Sequence, residues 1–118
     1  MDVFQKLLDK YRGMAEFEGV DIVRFDQKGR FEDAPIHKAC YNGWLEDVEL
    51  MIKHGVDINV RGDIGNTPLH EAVMSGNVDL VVMLVFNGAD KFVKNDYGDE
   101  PIDYAPANKA ADLRDVLM

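Results

Sequence analysis

Between Asp2 and Phe17 the apolar residues Phe4, Leu7, Leu8, Tyr11, Met14 and Ala15 recur at steps of three and four among charged neighbours. That spacing predicts an amphipathic helix over residues 2–17 whose apolar stripe must cover something. From residue 35 onward the pattern changes to pairs of short helices. Inner helices are predicted near 35–41 and 68–74, outer helices near 46–54 and 79–86. Gly43 and Gly76 stop the inner helices, and Gly55 and Gly88 the outer ones. Glycine adopts the left-handed conformation at a helix end without a Cβ penalty. The last unit, Pro101 to Met118, carries Lys109 in place of the turn glycine and a proline at 106. It is predicted to run out within an outer helix over 112–118, whose Leu113, Val116 and Leu117 either pack inward or remain a sticky surface.

The units repeat. Ala34-Pro35-Ile36-His37-Lys38-Ala39, Thr67-Pro68-Leu69-His70-Glu71-Ala72 and Glu100-Pro101-Ile102-Asp103-Tyr104-Ala105 begin 33 residues apart. Gly43 and Gly76, Val48 and Val81, Gly55 and Gly88, and Asp57 and Asp90 coincide under the same shift. With the Pro-[Leu/Ile]-[His/Asp]-x-Ala core, this closely resembles the ankyrin repeat over about residues 24 to 118. The resemblance implies one all-α domain over 1–118, a solenoid of stacked helix pairs with β-hairpin fingers and an N-terminal capping helix. Residues 1–23 form the cap or a degenerate repeat, 24–57 and 58–90 are full repeats, and 91–118 are a C-terminal capping repeat. Gly-Val-Asp-Ile occurs at 19–22 and at 55–58, a separation of 36 rather than 33. Three residues are therefore expected between Ile22 and Pro35 as an insertion, making the first finger longer than the others.

Helix chemistry explains the recurring residue types. Thr67 is expected to accept a hydrogen bond at the N-cap, Pro68 fits the first helical position, and Leu69 enters the core. Ala34 cannot cap, which leaves that role to Asp33. A lost cap costs about 1 kcal/mol. His70 resembles the family histidine that ties neighbouring fingers through its ring nitrogens. The last repeat has Asp103 there, so the tie between fingers must change at that end.

Size and charge narrow the function. A chain of 118 residues buries roughly two-thirds of its unfolded surface and needs no staple, and its single cysteine, Cys40, forms no internal bridge. No leader or membrane span is visible, which suggests a cytoplasmic protein. Thirteen Lys and Arg against twenty-two Asp and Glu give a net charge of −9. That balance repels nucleic acid and anionic lipid and suits a basic protein partner.

Candidate chemistry is sparse. His37 and Cys40 have the spacing of a thiol–imidazole pair, but the register puts Cys40 at a small, buried position, where a thiol is inert. His70-Glu71 lacks the second histidine of a zinc-protease helix, because position 74 is Met. His54 sits where an imidazole complements a helix C-terminus. Asp96, Asp99, Glu100 and Asp103 lack the spacing of a calcium loop and are read as an acidic contact face, the alternative being solvated finger residues with one helix cap. No enzyme, metal or cofactor is expected.

Binding is expected on a surface. The resemblance implies a concave face built from fingertips and the exposed sides of inner helices. The finger positions are Arg30, Phe31 and Asp33, then Asp63, Ile64 and Asn66, then Asp96, Tyr97 and Asp99. Lys38, Tyr41, Asn42, Glu71, Met74, Ser75 and Tyr104 extend the surface along the inner helices, and Trp44, just beyond Gly43, either joins it from the turn or packs beneath a neighbouring loop. Arg24, Lys28 and Arg30 surround the first finger and acids gather around the last, so the far end should attract a basic protein. Two functions fit: a stoichiometric inhibitor that neutralises a toxin or effector in the manner of an immunity protein, or an adaptor that binds without inhibiting. Self-association is left open.

Overall fold

Asp2 begins the first helix by accepting the Gln5 N–H at 2.7 Å, and α1 runs over Val3–Arg12. The computed structural model describes residues 2–118. Among them are five further helices: α2 (Pro35–Tyr41), α3 (Leu45–Lys53), α4 (Pro68–Ser75), α5 (Val78–Phe86) and α6 (Ala110–Leu117). The first helix is shorter than its apolar pattern suggests. It ends at Gly13, Met14 is extended, and a separate 3-10 turn at Ala15–Phe17 buries Phe17. Phe4 stacks on His54 beyond the end of α3, while Lys10 and Tyr11 meet Asp47 in its first turn. Helix α1 therefore runs antiparallel to α3 and covers the first repeat as a cap, out of the common sense of stacked outer helices.

The core is continuous from the cap to the last helix. Ile36, Ala39 and Cys40 of α2 are buried with Leu69, Ala72 and Val73 of α4. Val48 and Met51 of α3, Leu80, Val81 and Leu84 of α5, and Leu113 and Leu117 of α6 close it from the outer layer. Burying such side chains stabilises by about 1.5–3 kcal/mol each and dominates the fold's free energy. Asn77 links the layers: its side-chain oxygen accepts the Leu80 N–H and its amide donates to Gly43 O of the preceding repeat. The result is elongated, 41 × 27 × 22 Å.

The fingers keep one length. Gly29 N–H donates to Asp33 O at 2.8 Å, Gly62 to Asn66 O at 2.7 Å and Asn95 to Asp99 O at 2.9 Å, each 33 residues on. Glu32, Gly65 and Gly98 supply the positive φ at matching places. The expected longer first finger is thus corrected. From Arg24 onward the register is unbroken, since Gln27 N–H to Arg24 O repeats as Val60 N–H to Asp57 O. The extra residues lie upstream, and the shared Gly-Val-Asp-Ile phrase does not mark equivalent positions. Nor are the fingers β-hairpins: no strand occurs among the described residues, and each finger is a tight turn closed by that backbone bond.

Two further expectations change. Thr67 places its hydroxyl 2.9 Å from His70 Nδ1 instead of on a helix N–H, and Asp33 accepts the Asp63 N–H instead of capping α2. In the last repeat the inner helix is replaced by 3-10 turns at Pro101–Tyr104 and Ala107–Lys109. Pro106 forces this break, because it lacks an N–H and holds Ala105 extended. Helix α6 consequently starts at 110.

Gly62 is pinned by its neighbours. A Cβ there would lie 2.9 Å from the His37 ring and collide with the Asp33 carboxylate. Gly62→Ala is expected to lose about 2 kcal/mol, the cost of overpacking a filled site, in urea unfolding.

Candidate binding surface

The fingers are tied to the inner helices by two buried histidines. His37 Nδ1 accepts the Ala34 N–H at 3.0 Å, which leaves Nε2–H to donate to Val60 O at 2.9 Å and Asn66 O at 3.2 Å. His70 repeats the device, accepting from Thr67 N–H at 3.0 Å and donating to Asp99 O at 2.9 Å. Each ring caps its own helix and holds the next finger in a neutral, Nε2-protonated tautomer. At the third position Asp103 accepts the Glu100 N–H at 2.8 Å, so the cap survives. A carboxylate has no proton to donate onward, and the relay stops there.

Burial lowers the proton affinity of both rings below that of an ordinary histidine. The folded state therefore binds fewer protons than the unfolded one, and this stabilisation is fully present above about pH 6.5 and declines below it. His70→Ala leaves the Thr67 N–H and Asp99 O without their partner. It is expected to cost about 2 kcal/mol at pH 7 and less at pH 5, by urea unfolding at both values.

Held this way, the fingertips project. Phe31 is 62% exposed and Tyr97 72%, with Ile64 half-buried between them and Arg30, Asp63 and Asp96 exposed beside them. Ile64 adopts φ 51°, a left-handed conformation that is rare for a β-branched residue. Such strain persists where the surroundings impose it, and here the next finger holds the turn, with Asp96 N–H donating to Ile64 O at 2.9 Å. Tyr41 and Asn42 are exposed along the inner face, and Lys38, Met74, Ser75 and Tyr104 are partly covered.

A model of ankyrin repeats in three copies matches residues 2–111. The chain belongs to the ankyrin-repeat family. No curated protein matches it. Ankyrin repeats bind other proteins, and this ankyrin chain is a protein-interaction module.

Several residues assigned to the surface of the ankyrin stack lie elsewhere. Asn66 is only 3% exposed. Its side-chain oxygen accepts from Asn95 Nδ2 at 2.8 Å and its amide donates to Glu71 Oε1 at 3.3 Å, so it links two fingers and is not free for a partner. Glu71 is itself 7% exposed, at the floor of a cavity. Asp99 accepts the Tyr104 hydroxyl at 2.9 Å, and Ser75 donates to Ala72 O. Trp44 leaves the concave set: it packs edge-on to Tyr11, with Lys10 Nζ 4.1 Å above its ring, in the contact between cap and α3.

The cavity, about 250 Å³, lies between the first finger and the inner helices. Phe31, Tyr41 and Phe17 supply its apolar wall, and Asp33, Glu71, Glu16 and Lys38 its polar lining. Sequence reasoning missed Glu16 and Phe17, which carry no repeat signature. They arrive through the 3-10 turn, where Glu16 pairs with Lys38 at 2.6 Å. Burial, with Asp33 nearby, pushes the Glu71 carboxyl up to about 7.

The charge asymmetry takes a sharper form. Around the first finger Arg24 pairs with Asp26, Lys28 with Glu32 and Arg30 with Glu18. At the other end no ion pair within 4.0 Å among the described residues involves Asp90, Asp96, Asp99, Glu100 or Asp103. The thiol of Cys40 is fully buried and burial raises its pKa, while both nitrogens of His37 are committed to backbone groups. These two residues form no activated pair. Among the described residues no group of three or more His, Cys, Asp and Glu side chains is arranged to hold a metal ion, and no helix is long and apolar enough to cross a membrane.

Proposed function

We propose that the chain is a stoichiometric inhibitor that covers a basic functional cleft of a cognate protein, such as a toxin or effector, in the manner of an immunity protein. The observation that carries this reading is the unpaired acidic end beside the exposed Tyr97. Acids left without cations steer a positive surface toward that end, and the aromatic fingertip supplies desolvated contact area once the two meet. Phe31 and Ile64 extend the footprint along the stack. Rim charges set the association rate, whereas the aromatic and aliphatic anchors set the lifetime of the complex.

The test is co-expression with the product of an adjacent gene, followed by purification and assay of that product's own activity. A stable complex in which the partner's activity disappears at saturation supports inhibition. A stable complex with full activity identifies an adaptor, and no complex together with no rescue from toxicity removes the proposal for that product.

A further inference from the structure

We propose that the cavity between the first finger and the inner helices is a socket for an arginine side chain of the partner protein. Three features of the cavity point there. Its volume, about 250 Å³, falls below the roughly 300–1,000 Å³ of pockets for drug-sized molecules and suits a single long side chain. Phe31 and Tyr41 stand exposed at its wall, giving aromatic faces on which a flat guanidinium stacks. Its floor is Glu71, more than nine-tenths buried, and the one hydrogen bond to that carboxylate among the described residues is the 3.3 Å contact from Asn66. The other carboxylate oxygen has no protein donor and is an accessible atom, not a buried orphan, in a cavity that has room for a donor.

The charges around Glu71 decide the sign of the ligand. Asp33 of the first finger and Asp63 of the second both disfavour its ionisation. From α2, His37 is neutral with both nitrogens bonded, and Lys38 is engaged by Glu16 at 2.6 Å. The cavity thus holds a deficit of positive charge that no residue of its own supplies. A guanidinium reaches Glu71 and Asp33 with separate N–H groups, which an ammonium presents less well. Because burial and its acidic neighbours keep Glu71 partly protonated near pH 7, the arriving cation must also displace that proton, and binding weakens on acidification.

This inference rests on the protein-binding reading above, and its test uses no partner. The isotope-labelled protein is titrated with acetyl-Gly-Arg-Gly-amide, and its amide signals are followed by NMR at pH 8 and pH 6. The lysine and citrulline tripeptides serve as comparisons. The arginine peptide is expected to move the signals of Phe31, Asp33, Lys38, Tyr41 and Glu71 with a dissociation constant of about 1–10 mM. The lysine peptide binds more weakly and citrulline leaves the signals in place. Glu71→Gln, which keeps the Asn66 contact, weakens arginine binding about tenfold, and so does the change from pH 8 to pH 6. Equal responses to arginine and citrulline, shifts confined to other surfaces, or no shifts overturn the proposal. Such a result leaves the protein-binding reading to the fingertip variants described below.

Discussion

Glu71→Gln is expected to make the folded protein more stable, by up to about 3 kcal/mol at pH 8. In the fold the Glu71 carboxyl is pushed up to about 7 from an ordinary value of 4.5, with burial as the largest cause and the nearby Asp33 next. The unfolded chain therefore gives up this proton at lower pH than the folded one. Wild-type stability from this group is intact below about pH 4.5, declines as the pH rises, and is fully lost above about pH 7. Glutamine occupies the same volume, keeps an acceptor for the Asn66 amide, and never ionises. The difference between variant and wild type should be near zero at pH 4.5 and grow toward pH 8. Urea unfolding across that range measures it.

The second large effect concerns binding alone. Phe31→Ala, Ile64→Ala and Tyr97→Ala each remove an apolar fingertip group, exposed at Phe31 and Tyr97 and half-buried at Ile64, with an expected cost of about 2 kcal/mol of binding free energy, roughly thirtyfold in affinity. Combined, they should lower affinity for the cognate protein by at least about a thousandfold, allowing for non-additive coupling. Phe31 and Tyr97 make little contact with the core, so thermal unfolding should move by only a few degrees. Titration calorimetry with the co-purified partner, beside a melting curve of each variant, separates lost contact from lost fold. Retention of wild-type affinity by the triple variant would place the interface elsewhere.

Much of this arrangement is legible in the residues, for a definite reason. A finger must close on itself and receive a capping side chain from the preceding helix, so His37, His70 and Asp103 fall 33 residues apart within the repeated Pro-[Leu/Ile]-[His/Asp]-x-Ala phrase, and that shift exposes them. The errors occur where a local phrase competes with that register. Gly19-Val20-Asp21-Ile22 copies Gly55-Val56-Asp57-Ile58 in letters and in the positive φ of its glycine, but the hydrogen bonds at Arg24 and Gln27 set the alignment of the finger that follows. The apolar spacing of residues 2–17 continues through Gly13, yet the backbone breaks there so that Phe17 can turn into the core. Asn66 and Glu71 occupy positions that the family pattern leaves free, and a mutual hydrogen bond buries them in this chain. Pairing of that kind across a finger and a helix has no periodic signature. On the outer layer, the apolar run of α5 conceals Phe86, which is 89% exposed with Val82 one turn before it.

That outer stripe offers a direct contrast for the account. Amide hydrogen exchange of the chain, free and saturated with its co-purified partner, reports which surface becomes covered. Protection is expected at residues 30–33, 63–66 and 96–99 and along the α2 face that carries Lys38 and Tyr41, with α5 unchanged. Protection centred on Val82 and Phe86, with the fingertips exchanging as they do in the free protein, would contradict it.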